Sequence, residues 1–441
     1  MRNEPLDQDT IPSPRNTLSR PGRDSLSDRE VTLTRRRLEF SVRIVSCLLL
    51  AVWIIALTNW KFPVHNEDGG RDFAVFYVAG KMIRDGLGSQ LYDRQVQQQV
   101  YDLAQLGPLS RPYNHLPFEA LLFLPLTSFG YRYAYLLWTV LSLFLLLLGV
   151  YLLDRELELT RAISYYLGIR SDIGLITLSG AGLSPLMGCL VQGQDSVWLL
   201  LIYILVFLFV RRGDQFAAGC VLALGLFKFQ TVLPFAAILL LRRKWRLLAG
   251  FAAVACVLML CSIAISGVHA LMEYRSQLSD SGYWEWMDWY RPYLMANLRG
   301  LFYVLFGLSR GIGAALLTIA ASLIIISAAA YYWRDDSLEL SFAVGVTAAV
   351  VTSYHVYPYD LTVLLLPLGL MVTSLGRRQI RLPNLLKISL LIFLMPPLHV
   401  LLAKSSLYAL MAVPALVILV MAIRLRFDKA SKNQTLLDIS L

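Results

Sequence analysis

Long apolar runs alternate with short basic loops along most of this chain. Clusters of arginine and lysine, such as "RRG" at 211–213 and "RRKWR" at 242–246, stand between the runs. Several runs approach the ~20 residues that an α-helix needs to cross the hydrocarbon core of a bilayer. The pattern therefore predicts an all-α polytopic membrane protein. The apolar runs are 44–60, 172–190, 196–210, 245–266, 312–333, 338–356, 361–376, 384–402 and 406–423.

The basic loops also predict an orientation, because short cytoplasmic loops of membrane proteins are enriched in Lys and Arg. "RRR" at 35–37 places the N-terminus in the cytoplasm, and "RLRF" at 424–427 does the same for the C-terminus. Residues 61–116 and 267–297 then become external loops, the first with amphipathic helices. The path contains about ten crossings if 117–153 contributes one.

Two segments do not fit the pattern of a single membrane-spanning helix. Residues 117–129 contain Pro117 and Pro125, and at 1.5 Å per residue a helix of this length reaches only ~20 Å. Residues 215–241 begin and end beside basic loops, which predicts a helical hairpin or re-entrant pair that turns near Lys228. We expect about 10 to 12 transmembrane or re-entrant helices in total.

Composition supports the membrane class. The chain has 57% hydrophobic and 16% charged residues, and a soluble protein of 441 residues needs more charge to cover its surface. The net charge of +10 lies largely in the basic loops, so it reflects topology and not a nucleic-acid partner. The predicted organisation is a disordered cytoplasmic tail (1–40), a membrane domain (41–427) and a cytoplasmic C-terminal tail (428–441).

The predicted topology brings several polar groups to the external face. Asp72 precedes an apolar helix pattern, so it either caps that helix or serves as a general base at the membrane surface. Lys228 interrupts an apolar hairpin, where a charge is costly and suggests a functional site. It either binds an anion such as a lipid phosphate or extends to a headgroup.

Weaker candidates accompany these two residues. His355 and Asp360 stand in "SYHVYPYD" (353–360), which is either an aromatic belt with a capping Asp or part of a site. Gln192, Gln194 and Asp195 either cap a helix or hydrogen-bond a polar ligand. The loop 281–300 interleaves aromatic residues with acids and arginines, which suits carbohydrate or lipid headgroups but also an interfacial helix. Its candidates are Trp284, Trp286, Tyr290 and Arg299.

Motifs for other chemistries are missing from the sequence. It contains no Walker A, HExxH, nucleotide-binding GxGxxG or GxSxG pattern, so neither ATP coupling nor ordinary soluble hydrolysis is indicated. No metal-ligand cluster is evident, and we expect no cofactor and no metal dependence.

Five stretches, in this order, resemble membrane glycosyltransferase family 87, whose members include polyprenol-phosphate-mannose-dependent mannosyltransferases. They cover most of 70–368. Two local departures are Phe229 after Lys228 and Leu116 before Pro117, where the family often has proline. The stretches are "RDFAVFYVAGKMIRDGLGSQLYD" (71–93), "YNHLPFEALLFLPL" (113–126), "LVQGQDSVWLLLI" (190–202), "RRGDQFAAGCVLALGLFKFQTVLPFAAILLLRRKWR" (211–246) and "TSYHVYPYDLTVLLLPL" (352–368).

The resemblance implies a GT-C-like fold in the inner (cytoplasmic) membrane with an extracytoplasmic active site. It implies a polyprenyl-phosphate sugar donor, a glycan or lipid acceptor in the cell envelope, and Asp72 as the catalytic base, with Asp68 as the alternative. His355 is expected in the active site. The family lysine maps to Lys228. The donor-binding residues are predicted to be Lys228, Gln192, Gln194, Arg299 and Asp360, and the acceptor-binding residues Trp284, Trp286 and Tyr290.

Two other functions stay open. A transporter or flippase for lipid-linked sugars would use the same anion site and broken helices, although the two halves show no convincing repeat. A membrane scaffold without chemistry would leave the buried charge of Lys228 unexplained.

Overall fold

The computed structural model describes residues 72–109, 111–279, 291–307 and 312–438, together with helical residues between 34 and 51. Helices account for nearly all of its regular structure. They are α1 (Asp72–Arg84), α2 (Arg94–Leu103), α3 (Pro117–Phe123), α4 (Tyr131–Leu157), α5 (Leu159–Leu167), α6 (Ile173–Ala181), α7 (Ser184–Gln192), α8 (Ser196–Arg211), α9 (Gln215–Leu224), α10 (Phe229–Leu241), α11 (Trp245–Ser279), α12 (Leu298–Phe306), α13 (Ile312–Tyr332), α14 (Leu338–Thr352), α15 (Leu365–Arg377), α16 (Asn384–Leu394), α17 (Pro396–Lys404) and α18 (Ala412–Asp438).

The helices confirm an all-α polytopic membrane protein. In the described part, six helical segments are long and apolar enough to cross a membrane, or up to eight if each bent pair counts as one span. The bent pairs are α6–α7 and α16–α17, which turn by 71° and 69°. The shorter helices α3 and α8 are also apolar. The first predicted span, 44–60, lies largely outside the described residues.

The segment Gln215–Leu241 satisfies the length test for a span, yet its contacts make it a hairpin. A straight helix of that length would separate its ends by roughly 40 Å. A Cβ on Gly219 in α9 would lie 1.8 Å from the Leu247 carbonyl in α11, so the two helices touch near their starts. Since α11 begins shortly after α10 ends, both ends of the segment lie on one side. The 3₁₀ turn Gly225–Lys228 reverses the chain, as predicted.

Ion pairs mark the side of the bundle on which the basic loops meet. Glu339 contacts Arg211 at 2.7 Å and Arg377 at 3.3 Å, and Lys244 contacts Asp335 at 2.7 Å. We call this side the basic-loop face. It collects the loops predicted to share the cytoplasmic side, and its cytoplasmic identity stays a prediction.

The segment predicted to be the first external loop packs as a body of its own against α11. Phe76 and Phe123 stack with ring centroids 4.7 Å apart, and Phe73 is fully buried beside them. Phe118 donates its backbone N–H to Ser262 Oγ at 3.2 Å, which attaches α3 to α11. Ten residues of α1 are buried, so α1 is not the amphipathic surface helix predicted, whereas α2 does have one buried and one exposed side.

Three predicted boundaries shift. Described residues from Thr34 onward are helical, so a helix begins inside the predicted N-terminal tail. α18 continues to Asp438, through part of the predicted C-terminal tail. The predicted external loop 267–297 starts as a continuation of α11 beyond a break at Gly267, where φ is +76°.

Candidate active site

Three interruptions of helical structure meet on the side of the bundle opposite the basic-loop face. They are the loop 193–195, the turn Gly225–Lys228 and the 3₁₀ turn Pro358–Leu364, which packs against α7 and α8. Irregular backbone in a membrane bundle is tolerated where protein surrounds it. Each interruption contributes a charged or amide side chain to one buried network.

The loop 193–195 can reach α1 only because residue 193 is glycine. Gly193 has a φ of +67°, and a Cβ there would lie 2.5 Å from the Cβ of Phe73. Gln192 then accepts a hydrogen bond from the Asp72 N–H at 3.3 Å. The loop and the first turn of α1 are therefore held as one unit.

Asp72 is the first residue of α1, and its carboxylate bonds to other segments. Arg111 donates to one oxygen, and the Gln194 amide donates to the other at 2.6 Å. Each carboxylate oxygen has two lone-pair sites, so each can accept one more hydrogen bond. Only 11% of the side chain is exposed. The group is thus an oriented anion with limited access.

Lys228 lies at the centre of the network and is only 4% exposed. Its Nζ donates to Gln194 at 3.0 Å and to Asp360 at 2.8 Å, and lies 3.1 Å from Asp195. An ammonium group has three N–H donors, and three protein oxygens surround this one. A phosphate ligand would have to displace one of these oxygens.

Asp360 acts as a capping residue, which is one of the two interpretations of its position in the sequence. One oxygen accepts from Lys228 and, at 2.9 Å, from Ser196, and the other accepts from the Tyr357 N–H at 2.9 Å. It therefore fixes the turn Pro358–Leu364 against α8. Nothing in this arrangement requires a donor ligand at Asp360.

His355 and Arg299 lie beside the network, on the loop after α14 and on α12. The His355 ring packs edge-to-face on Tyr357 at 4.5 Å, and the Arg299 guanidinium lies 4.1 Å from the ring centre of Tyr354. Burial lowers the pKa of His355 to about 4. At neutral pH this imidazole carries no charge, so it can offer a hydrogen bond to an anion but not an opposite charge.

The sequence analysis missed Glu119 and His115, which lie behind Lys228, and considered Asp195 only as a helix cap or a hydrogen-bonding group. Glu119 and Asp195 are fully buried and adjoin each other, and His115 Nδ1 lies 2.9 Å from Glu119. Glu119 follows His115 by four residues and lies in the first turn of α3, while His115 stands just before that helix. That spacing was the available signal.

The remaining predicted residues divide into two groups. Gln192 and Gln194 join the network as described, while Trp284, Trp286, Tyr290 and Asp68 lie outside the described residues. Within the described ranges, no group of three His, Cys, Asp or Glu side chains is arranged to hold a metal ion. Metal independence stays a prediction.

Comparison with known proteins gives one match. The family model of Glycosyltransferase family 87 matches residues 115–358, more than half of the chain. The match includes His115, Glu119, the loop 193–195 and Lys228, and it ends at Pro358, before Asp360. No curated protein and no solved structure matches.

Proposed function

The chain belongs to glycosyltransferase family 87, and we propose that it moves a hexose such as mannose from a polyprenyl-phosphate sugar to a hydroxyl of a glycan or lipid. It is a multi-pass membrane glycosyltransferase. We further infer a GT-C-like fold in the inner membrane with the active site on the extracytoplasmic side. The observation that carries the proposal is the oriented Asp72 carboxylate, bound by Arg111 and Gln194 and linked through Gln194 to buried Lys228.

In the proposed step, a free lone pair of Asp72 takes the proton of the acceptor hydroxyl. The acceptor oxygen attacks the anomeric carbon from the face opposite the phosphate. The bond between that carbon and the phosphate oxygen breaks, and its electron pair leaves with the lipid phosphate. A single displacement of this kind inverts the anomeric centre. Arg111 and Gln194 hold the Asp72 carboxylate in a fixed orientation for this proton transfer.

The leaving phosphate gains negative charge and needs electrostatic stabilisation. A guanidinium suits phosphate oxygens, so Arg299 is the proposed cation and neutral His355 the proposed hydrogen-bond donor. Lys228 was expected to bind phosphate. Its three oxygen neighbours favour a different role, in which it neutralises Asp195 and Asp360 and holds Gln194 toward Asp72. Gln192, Gln194 and Asp360 then position the site, while acceptor contacts by Trp284, Trp286 and Tyr290 stay a prediction.

The test is sugar transfer by the purified protein in lipid vesicles, with polyprenyl-phosphate mannose, glucose and arabinose as donors. Asp72→Asn keeps the shape of the side chain but removes the base, so activity should fall about 10²–10⁴-fold. The matched control is Asp85→Asn, which removes an exposed carboxylate that pairs with Lys81 just beyond the other end of α1.

Two outcomes would overturn parts of the proposal. Full activity in Asp72→Asn would exclude this residue as base, and Asp68→Asn would be measured next. Movement of labelled lipid across the vesicle membrane, without reaction of any donor, would favour the transporter function.

A further inference from the structure

Two acidic side chains from separate parts of the chain meet at the bottom of the site. Glu119 comes from α3 in the external segment, and Asp195 comes from the loop between α7 and α8. Both are 0% exposed. Their carboxyl groups adjoin each other, and none of the four oxygens accepts a hydrogen bond from a described donor. Because two adjoining carboxylates would repel each other in a buried site, their contact implies that one of the two acids is protonated.

The charges around Lys228 lead to the same conclusion. Asp360 and Asp195 lie 2.8 and 3.1 Å from its Nζ, and Glu119 adjoins Asp195. Three ionised acids would surround one cation in a region from which water is excluded, and like charges in such a site keep one acid protonated. If both acids were ionised, their four carboxyl oxygens would be buried without a hydrogen bond from any donor in the described residues. One shared proton removes this conflict.

We propose that Glu119 and Asp195 share a single proton and act as a pair of positioning residues, Asp195 for Lys228 and Glu119 for His115. The proton keeps the two acids together and thereby fixes the external segment to the membrane bundle beneath Asp72. The catalytic consequence rests on the proposed function, whereas the shared proton does not.

His115 connects the acid pair to the proposed substrate position. Its side chain is 22% exposed, in contrast to Glu119 below it. Burial lowers the pKa of His115 to about 4, so the ring is neutral at pH 7. If Nδ1–H donates to Glu119, Nε2 is left as a hydrogen-bond acceptor. We assign Nε2 to a hydroxyl of the sugar or of the acceptor, with Glu119 selecting this tautomer.

The pH range of the pair depends on every charged group around it. Lys228 contacts Asp195 and also Asp360, while His115 and Tyr113 adjoin Glu119. Burial raises the pKa of both acids, and that of Glu119 to about 8. The shared proton is therefore held at neutral pH and lost in the mildly alkaline range.

Infrared spectroscopy tests the shared proton without any substrate. A protonated carboxyl group gives a C=O stretching band that a carboxylate lacks. The wild-type protein in lipid should show this band at pH 7 and lose it above about pH 9, given the raised pKa. Glu119→Gln and Asp195→Asn should each lack it. A spectrum unchanged by both substitutions would show that the pair holds no proton.

Sugar transfer tests the positioning role. Gln at 119 can donate to Asp195 and accept from His115, whereas Ala can do neither. We expect Glu119→Ala to lose activity about tenfold or more and Glu119→Gln clearly less, since only Ala leaves buried polar partners without hydrogen bonds. The wild-type rate should decline above pH 8, and Glu119→Gln should lose that decline because an amide has no proton to release.

Equal losses in the two variants, with the wild-type pH profile, would overturn the positioning role. If the wild-type protein transfers no sugar at all, the proposed function fails, and the infrared band still decides whether the proton is shared.

Discussion

Two clusters of charged side chains in the described part of the chain, one at each end of the bundle, differ in their exposure. On the basic-loop face, Glu339 bridges Arg211 and Arg377, and all three side chains are 18–38% exposed. At the site, Lys228 contacts Asp195 and Asp360, and the three side chains are 0–8% exposed. The residue types and distances are similar. Only the access of water differs.

That difference changes what each cluster does. Water screens an exposed ion pair, which typically contributes less than about 1 kcal/mol. A buried pair has lost its water, so each partner depends on the other, and removing one costs about 3–5 kcal/mol. The charges of the basic-loop face therefore serve mainly to orient the protein in the membrane. The network at the site instead holds three broken helices in one arrangement.

The largest expected effect comes from removing the buried cation. Lys228→Met preserves much of the side-chain volume but leaves Asp195 and Asp360 buried without a counter-charge. We expect a loss of about 3–5 kcal/mol in the free energy of unfolding. The measurement is unfolding of the purified protein in detergent, followed by tryptophan fluorescence.

Lys244→Met is the matched control, because Lys244 pairs with an Asp335 side chain that is 65% exposed. It should cost about 1 kcal/mol or less. Equal losses in the two variants would show that burial does not separate the clusters.

The next prediction separates the cost of backbone strain from the cost of side-chain overlap at two glycines. Gly193 and Gly213 both have a positive φ, +67° and +85°, but only Gly193 has a neighbour within 4 Å of its added Cβ. Alanine at either position incurs about 1–2 kcal/mol of left-handed strain. At Gly193 the overlap with Phe73 should add about 1–3 kcal/mol and lower activity by moving Gln194.

Thermal unfolding of Gly193→Ala and Gly213→Ala, together with sugar transfer by each, measures the difference. Gly213→Ala should keep its activity, since Gly213 lies on the basic-loop face. If both variants lose the same stability and the same activity, contact of the loop with α1 does not position the site.

Hydrophobic periodicity and the positions of charged residues predicted much of this structure. The predictions that failed did so for physical reasons. The hairpin at Lys228 followed from the basic residues at both of its ends, and Asp72 from its place before a helix. α1 was predicted as amphipathic because its partner α3 is distant in sequence, and nothing local indicates which helix will cover it. Glu119 was missed since a single acid in an apolar helix shows no partner until folding brings Asp195 to it.

The two clusters should also respond to pH in opposite directions. Burial raises the pKa of Glu119 from its usual 4.5 to about 8. The folded protein therefore binds this proton more tightly than the unfolded chain, and stability falls as pH rises from about 5 to 8. Burial alone would raise the pKa of Asp335, but the Lys244 hydrogen bond and charge outweigh it and lower that pKa. Its contribution is present at neutral pH and is lost in acid.

Unfolding temperatures between pH 3 and pH 9 for wild type, Glu119→Gln and Asp335→Asn check these signs. Glu119→Gln should flatten the decline toward pH 8, and Asp335→Asn should change only the acid side. A decline of equal slope in Glu119→Gln would assign it to another group.

The smallest expected effect, on salt dependence, tests the comparison of the two clusters most directly. Glu339→Gln removes the charge that bridges Arg211 and Arg377 and should cost about 1 kcal/mol or less. Salt should then abolish most of this cost, because the Debye length falls from ~10 Å at 0.1 M to ~3 Å at 1 M. Salt cannot enter the surroundings of Lys228, so the cost of Lys228→Met should not change over the same range. Unfolding of both variants and wild type at the two salt concentrations measures this contrast. If salt reduces both costs alike, ions reach Lys228, and the site network is open to solvent in a way that its burial does not predict.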